Sequence, residues 1–378
     1  MRMLTRRHVL TGVGAAAALT VVPHGFAVAA QGARGSYSDA LVIDGLGGIW
    51  DPHRAEGVTR LTDRFWSELL QSGVDAVRIT VYPVGNEVDA WETYRESIGH
   101  FDSWFAANPD RLVKVHSADE ITQAKRDGKV GVILGTQDTS MVGADLDRIA
   151  EMKADGVRVV QLTYNNRNLA GDGAIEPDNA GLSKLGRATI ERIETERLLL
   201  DLSHGGARTM AEAAALATRP LVISHTGARA VFDHPRNVSD ETIRTVADKG
   251  GVVGLYFMPY LHPDMQPTRE TVLAHADHLL RVAGEDHIGI GSDNGPVPAP
   301  FDDETKARWD ENQQDRIDRG IAAPGERIGF YPLVPDYNSI DRLARFADDL
   351  AARGWSWRQV EKMLGSNSLR VYAEAWAA

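Results

Sequence analysis

From Ala40 onward the chain alternates short apolar runs with longer amphipathic stretches. The runs are dense in Val, Ile and Leu, and most lack strict alternation with polar residues. This pattern is typical of strands that are buried on both faces of a sheet. The runs occur at 41–43, 74–81, 112–115, 130–134, 157–162, 198–202, 221–223, 252–255 and 288–290.

Helical patterns at 145–154, 182–196 and 210–217 lie between these runs, and two more close the chain at about 340–353 and 356–363. Strand and helix alternate about eight times, which predicts a parallel (β/α)₈ TIM barrel. A doubly wound open sheet gives a similar outline and stays open as the alternative fold.

One stretch, at about 296–337, breaks the alternation because it is rich in proline, charge and aromatic residues. It follows the last predicted strand, where the rim of a barrel carries active sites. We expect a long rim insertion there, acting as a loop or lid, with a flexible linker as the alternative.

Composition supports one large folded domain. Of the 378 residues, 43% are hydrophobic and 25% are charged, so residues 31–378 are predicted to form a single barrel domain. The chain has a net charge of −12, and an acidic surface repels the phosphate backbone of DNA or RNA. We therefore expect no nucleic-acid partner. The chain has no cysteine, which excludes disulfides and thiolate zinc sites.

The N-terminus has the features of an export signal. Residues 5–10 read Thr-Arg-Arg-His-Val-Leu, as in twin-arginine signals, and a weakly apolar run follows at 9–22. Small residues at 27, 29 and 30 suit signal-peptidase cleavage. We predict a signal over residues 1–30 and a periplasmic or secreted protein, with a flexible cytosolic tail as the alternative. The run is too short for stable membrane insertion, which needs about 20 residues.

Three polar groups follow buried runs directly. His204 ends Leu-Leu-Asp-Leu-Ser-His, His225 ends Leu-Val-Ile-Ser-His, and Asp293 ends Ile-Gly-Ile-Gly-Ser-Asp. The carboxyl ends of barrel strands are where catalytic groups converge. Imidazole and carboxylate are ligands of hydrolytic zinc. A single histidine after a strand is more often a hydrogen-bonded structural group, but two in matching contexts with a strand-end aspartate favour a metal site.

Longer motifs make a resemblance specific. They are Gly156–Asn165, Gly181-Leu182-Ser183 with Gly186, Asp201–His204, Ser224-His225, Arg236-Asn237-Val238, Gly289–Asp293 and Leu364–Val371. In this order the chain resembles the membrane (renal) dipeptidase family of the amidohydrolase superfamily. The resemblance implies a metal-dependent hydrolase barrel, and a possible homodimer.

The resemblance also implies roles for single residues. Family members hydrolyse dipeptides with a two-zinc centre. The histidines equivalent to His204 and His225 bind one zinc, and the aspartate equivalent to Asp293 binds the other and handles the proton of the attacking water. The arginine equivalent to Arg236 binds the substrate carboxylate, and the neighbouring Asn237 is predicted to take part in substrate binding.

The sequence departs from the family at other ligands. The family's His-x-Asp pair after the first strand is replaced by Leu46 and Gly48, neither of which can bind metal. The bridging glutamate aligns with Gln137, one residue before Asp138. Tyr164 stands where the family has a histidine that polarises the scissile carbonyl.

The surviving groups predict one zinc ion, held by His204, His225 and an oxygen of Gln137 or Asp138. Asp293 then acts as general base and Tyr164 stabilises an oxyanion. Asn165 is predicted to bind substrate, and it begins a polar, glycine-rich stretch that either lines the pocket or builds tight turns. Two further His/Asp pairs are alternative ligands, although solvated loop residues are the simpler interpretation; they are Asp51 with His53 and His262 with Asp264.

These residues together predict an exported zinc-dependent hydrolase that cleaves a small, dipeptide-like amide with a free carboxylate. Two other classes of function stay open. Loss of the first metal position is compatible with a lyase, an isomerase or a metal-free acid/base enzyme. A catalytically silent binding protein would use the barrel mouth only to hold a ligand.

Overall fold

The computed structural model describes residues 35–85 and 88–377. In these ranges nine short strands follow one another along the chain, and each coincides with one of the apolar runs. They are β1 (Ile43–Asp44), β2 (Ala76–Val81), β3 (Leu112–Lys114), β4 (Val130–Thr136), β5 (Val157–Gln161), β6 (Leu199–Asp201), β7 (Val222–Thr226), β8 (Val252–Leu255) and β9 (Ile288–Ile290).

All strand pairs are parallel, in the order β1-β2-β4-β5-β6-β7-β8-β9. The two ends of this sheet approach each other, because the amide of Gly45 donates to the carbonyl of Ile290 at 2.8 Å. Eight strands therefore nearly close into a TIM-like barrel, which confirms the predicted fold class. An open, doubly wound sheet would instead reverse its strand order at a switch point.

Strand β3 is the exception to the simple barrel. It pairs with the first half of β4, from Leu112↔Val130 to Lys114↔Val132, and with no other strand of the described chain. The second half of β4 pairs with β5 instead. One predicted strand thus lies beside the barrel wall at its amino end rather than within it.

Helices follow most of the strands, and side-chain caps set several of their starts. Thr62, Ser183, Ser239 and Asp302 each accept a hydrogen bond from the amide three residues on. The helices are α1 (Asp63–Ser72), α2 (Ala90–Ala107), α3 (Ala118–Arg126), α4 (Arg148–Ala154), α5 (Lys184–Thr195), α6 (Ala207–Leu216), α7 (Asp240–Asp248), α8 (Arg269–Ala283), α9 (Asp303–Asp318), α10 (Arg342–Ala352), α11 (Trp357–Glu361) and α12 (Asn367–Trp376).

The rim insertion, residues 296–337, is more ordered than the expected loop, because it contains the four-turn helix α9. The sequence of α9 has few apolar residues, and only Thr305 and Gln313 of this helix are buried. The helix therefore lacks the amphipathic pattern by which a helix is predicted from sequence. The Asp302 cap and the acidic residues Asp303 and Glu304 in the first turn favour its start.

The barrel interior is packed at its amino end. Side chains from seven strands meet there, among them Ile43, Ile133 and Val222, and Val371 and Tyr372 of α12 join the same cluster. Helix α12 thereby covers the amino end of the barrel. Because the lower half is filled with side chains, only the carboxyl end has room for a site.

The predicted signal, residues 1–30, lies outside the described residues, so twin-arginine export stays a prediction. In the described part of the chain, no helix combines the length and the apolar character that crossing a bilayer requires.

Candidate active site

The three strand-end groups lie at the carboxyl end of the barrel. His204 follows β6, His225 belongs to β7, and Asp293 follows β9. The rings of His204 and His225 have their centroids 4.9 Å apart. Because β6 and β7 are neighbouring parallel strands, their carboxyl ends bring together two imidazoles that are 21 residues apart in the sequence.

Two of these residues have a left-handed backbone. The φ angle is 63° at His204 and 57° at Asp293, a region that costs a non-glycine residue about 1 kcal/mol or more. Backbone hydrogen bonds hold both turns. The His204 carbonyl accepts from Ala174 at 2.7 Å, and the Asp293 amide donates to Leu46 at 2.8 Å.

Asn165 determines which nitrogen of His204 carries the proton. Its amide nitrogen donates to the carbonyl of Ile321 at 2.7 Å, so its oxygen faces Nδ1 of His204, also at 2.7 Å. That oxygen can only accept, and we therefore place the proton on Nδ1. The Nε2 atom of His204 is then left with a bare lone pair.

A buried chain of hydrogen bonds orients His225 in the same way. The hydroxyl of Ser224 donates to Asp201 at 2.6 Å and accepts from Arg78 at 3.0 Å. With its proton committed to Asp201, Ser224 must accept from Nδ1 of His225, 2.8 Å away. Such outer partners fix the tautomer of metal-binding histidines.

Both imidazoles are neutral. Burial, reinforced by the charge of Arg236, lowers the pKa of His204 and of His225 well below the usual value. In the described structure the Nε2 atoms of both rings are buried and have no hydrogen-bond partner. Two bare lone pairs without a donor are an unusual arrangement that a cation would satisfy.

Asp293 and Arg236 line one cavity with His204 and Tyr164. This histidine cavity has a volume of about 190 Å³, and the rim insertion contributes Arg316 to it. Burial raises the pKa of Asp293 to about 6, against the opposing charges of Arg236 and Arg316. A carboxyl group with such a pKa can exchange a proton near neutral pH.

Arg236 is a buried cation with free donors. Its side chain is 4% exposed, and its Nε and Nη2 atoms find no hydrogen-bond partner within the described residues. The guanidinium lies 5.4 Å from the ring centroid of Tyr260 and 5.8 Å from that of Tyr256. A buried guanidinium with unused donors is suited to a carboxylate ligand.

Tyr164 stacks on His204 with ring centroids 4.0 Å apart, and its hydroxyl accepts from Arg316 at 3.0 Å. Arg316 belongs to α9 and also forms an ion pair with the buried carboxylate of Glu326 at 2.8 Å. No sequence motif marks Arg316 or Glu326 as a site residue. Their only signal was their position in an insertion predicted at the barrel rim.

Other predicted site residues have structural partners. The amide of Asn237 donates to the carbonyls of Phe232 and Tyr260 and accepts from the hydroxyl of Tyr256, outside the histidine cavity. Asn165 is fully buried and supports His204, as described above. The carboxylate of Asp138 accepts hydrogen bonds from Ser140.

Gln137 lines a second, larger cavity of about 660 Å³, which shares Asp293 as a lining residue with the histidine cavity. Its side-chain oxygen accepts from Thr80 at 3.0 Å. We name this space the aromatic cavity after its walls, which include Leu46, Gly48, Trp50, Phe101, Trp104 and Asp293.

The donor set fits one metal ion better than two. His204 and His225 supply two bare nitrogens, whereas Leu46 and Gly48 supply none at the other family position. Among the described residues no group of three or more His, Cys, Asp or Glu side chains is placed to hold a metal.

The alternative pairs do not form a metal site either. Asp51 accepts from the amide of Thr62, the residue before α1, at 2.7 Å, and His53 pairs with Glu68 at 3.0 Å. The His262 and Asp264 side chains are 3.8 Å apart on the surface.

A nearly closed parallel barrel with paired histidines at its strand ends is the architecture of the amidohydrolase superfamily. Within that class, the model of the Membrane dipeptidase (Peptidase family M19) matches residues 59–309, which is more than half of the chain. The chain belongs to this family, which confirms the resemblance that its motifs indicated.

Individual relatives agree with this assignment. Dipeptidase tcpJ of Claviceps purpurea is 28% identical over 270 residues, which cover 70% of this chain and 56% of the fungal protein. The chain thus spans little more than half of that relative's length. An amidohydrolase from Pseudomonas aeruginosa has a crystal structure that is similar with a TM-score of 0.77 at 27% identity, over 90% of this chain and 98% of that one.

A metallopeptidase from Rhodobacter sphaeroides, crystallised with a phosphinate mimic of the dipeptide L-Ala-D-Ala, shares the fold. Its TM-score is 0.71 at 21% identity, over 89% of this chain and 99% of that chain. The homodimer that the resemblance implies stays a prediction.

Proposed function

We propose that this protein hydrolyses the amide bond of a small, dipeptide-like substrate that carries a free carboxylate, with the help of one zinc ion. One observation carries the proposal. Two neutral imidazoles with bare, buried Nε2 atoms lie beside a buried carboxyl group and a buried guanidinium with free donors. Membership of a peptidase family supports the same reaction class.

His204 and His225 would hold the ion, since each has its Nδ1 proton fixed by a partner and its Nε2 lone pair free. Zinc at such a site supplies Lewis acidity, which polarises a carbonyl and lowers the pKa of a bound water. Catalytic zinc usually has three protein ligands, so a site with two imidazoles is expected to bind it more weakly.

Arg236 fixes the orientation of the substrate. Its Nε and Nη2 donors match the two oxygens of a carboxylate, and burial removes competition from water. The substrate would place its carboxyl end at Arg236 and its scissile amide over Asp293, which borders both cavities.

Asp293 and Tyr164 would handle the proton and the developing charge. With a pKa of about 6, Asp293 is mostly ionised at neutral pH and can take a proton from water, then deliver it to the leaving amine. The Tyr164 oxygen accepts from Arg316, which leaves its own O–H free to donate to the carbonyl oxygen.

The experiment combines elemental analysis with a hydrolysis assay on a dipeptide panel. Purified wild type is expected to hold about one zinc per chain, and His225→Ala to lose both zinc and turnover. His204→Asn tests the other ligand, because Asn tolerates the left-handed backbone at this position. A circular dichroism spectrum checks that each variant is folded.

Asp293→Asn separates proton transfer from metal binding. This variant is expected to keep zinc but to lose at least about 100-fold in kcat, as expected for removal of a general base. Metal-free wild type that binds no added zinc and cleaves none of the dipeptides would overturn the proposal.

A metal-free lyase or isomerase is the second candidate, because the described residues offer no third His or acidic ligand beside the two histidines. In that case Asp293 and Tyr164 would move protons without an ion. Turnover of a substrate that survives prolonged treatment with a chelator would favour this candidate over the zinc hydrolase.

A further inference from the structure

The aromatic cavity occupies the place where the family's first metal ligands are missing. Leu46 and Gly48, which stand at those ligand positions, form part of its wall. A Cβ atom built on Gly48 would meet no atom within 4 Å, so this position faces open space. The loss of the ligand pair has therefore left a cavity beside the reacting groups.

One side of the inner wall of this cavity is apolar. Leu46, Ile79 and Trp104 are at most 5% exposed, and the half-buried Phe101 packs edge-on against Trp104 with centroids 6.1 Å apart. A space of about 660 Å³ is large enough for an aromatic ring together with the chain that bears it.

Large aromatic groups are also exposed at the cavity. Trp50 is 65% exposed and Tyr82 is 57% exposed, and both line it. Besides Asp293, the acidic and basic side chains that line the same space are Arg54, which is half-buried, and Glu96, which is exposed, so both stay in contact with water. Apolar surface at a concave site is most stable when an apolar ligand covers it.

Asp293 connects the two cavities. Arg236 lies in the histidine cavity and Trp104 in the aromatic cavity, and Asp293 borders both. A substrate held at Arg236 by its carboxylate, with its amide over Asp293, must extend its acyl half into the aromatic cavity.

We propose that the aromatic cavity binds a bulky aromatic group on the acyl half of the substrate, in the space of the lost metal ligands. The preferred substrate is thus an amide between an aromatic acyl unit and an amino acid with a free carboxylate. This inference rests on the proposed function and adds the identity of the acyl group. Water is added across the C–N bond, which gives an aromatic carboxylic acid and a free amine.

The experiment compares L-Phe-L-Ala with Gly-L-Ala, which differ at the first side chain only. Burial of one phenyl ring predicts a kcat/KM ratio of about ten to one hundred in favour of Phe-Ala for the wild type. Gly48→Phe fills the cavity from a position with open space and is expected to lower this ratio at least tenfold.

Gly99→Phe is the matched control. Gly99 lies on the exposed face of α2, outside the cavity, and its added Cβ would also meet no atom within 4 Å. This variant is expected to keep the wild-type ratio. A wild type without preference for Phe-Ala, or an equal change of the ratio in both variants, would overturn the inference.

A binding measurement distinguishes failure of this inference from failure of the proposed function. Calorimetric titration of Asp293→Asn with each dipeptide reports binding without turnover, and Gly48→Phe is added to the same background. Tighter binding of Phe-Ala that the added phenyl ring abolishes supports the aromatic site, even if no amide is hydrolysed. Equal binding of both dipeptides contradicts it, even if both are hydrolysed.

Discussion

At the scale of single residues, the reactive groups depend on neighbours that have no reactivity of their own. Asn165 was predicted to bind substrate. In the structure its side-chain oxygen faces Nδ1 of His204, and its side-chain nitrogen donates to the carbonyl of Ile321. Ser224 serves His225 in the same way. Each of these contacts keeps the proton of its histidine on Nδ1. Residues that lie behind the two imidazoles therefore determine that both Nε2 atoms carry a free lone pair.

Asp44 allows a prediction about stability and pH. Burial raises its pKa to about 6 from the ordinary 3.8, although Ser292 and Leu46 donate hydrogen bonds to it. The folded state therefore holds this proton more tightly than the unfolded state does. The contribution of Asp44 to stability is at its maximum below about pH 4 and falls by about 3 kcal/mol as the pH rises through 6.

Asp44→Asn removes this titration and keeps an oxygen that can accept from Ser292 and Leu46. The variant is expected to be more stable than wild type at pH 8, by up to about 3 kcal/mol, and no more stable at pH 4. Urea denaturation of both proteins at the two pH values measures this. The same difference at both values would contradict the prediction.

At the scale of elements, helix α9 changes the site most. It brings Arg316 over Tyr164 and into an ion pair with Glu326, whose side chain is fully buried. Hydrophobic periodicity could not predict this helix, because its contacts with the barrel are made by polar side chains. The same method succeeded for β4, which is buried along its whole length.

Arg316→Met tests how firmly α9 is attached. It leaves the buried Glu326 carboxylate without its cation, which is expected to lower the free energy of unfolding by about 3 kcal/mol in urea denaturation. Arg208→Met is the control, since Arg208 is 60% exposed in its pair with the half-buried Glu212 on α6, and this pair should contribute less than about 1 kcal/mol. Similar small losses in both variants would show that the α9 ion pair is not important for stability.

At the scale of the whole molecule, one buried guanidinium connects strands on several sides of the barrel. Arg78 of β2 donates hydrogen bonds to three strands: to the Thr136 carbonyl of β4, to the carboxylate of Asp201 at the end of β6, and to the hydroxyl of Ser224 in β7. Both members of the Arg78–Asp201 pair are 0% exposed. Gly135 makes room for this cation, since an added Cβ would lie 2.4 Å from its Nε.

Arg78→Met is expected to destabilise the barrel by about 3–5 kcal/mol, because it leaves the Asp201 carboxylate buried without a partner. In the double variant Arg78→Met/Asp201→Asn the unpaired charge is gone, and part of this loss should be recovered. Urea denaturation at pH 7 measures both. A double variant as unstable as the single one would show that the charge pair is not the cause.

The sequence by itself determined the alternation of buried strands with helices, but not whether the sheet closes into a barrel, because a strand buried on both faces requires a continuous apolar run in either kind of sheet. It also determined the family, through motifs such as Asp201–His204 and Gly289–Asp293, and the absence of donors at Leu46 and Gly48. These properties belong to single segments, so a local pattern can reveal them.

Only the tertiary structure decided what the site consists of. Pairing of β6 with β7 places His204 beside His225, the barrel mouth places Asp293 at two cavities, and packing of α9 puts Arg316 over Tyr164. The tertiary structure also gives the side chains of Asn165 and Asn237 hydrogen-bond partners within the protein. These are contacts between residues far apart in the chain, and their geometry depends on how whole elements pack, which no local pattern of residues encodes.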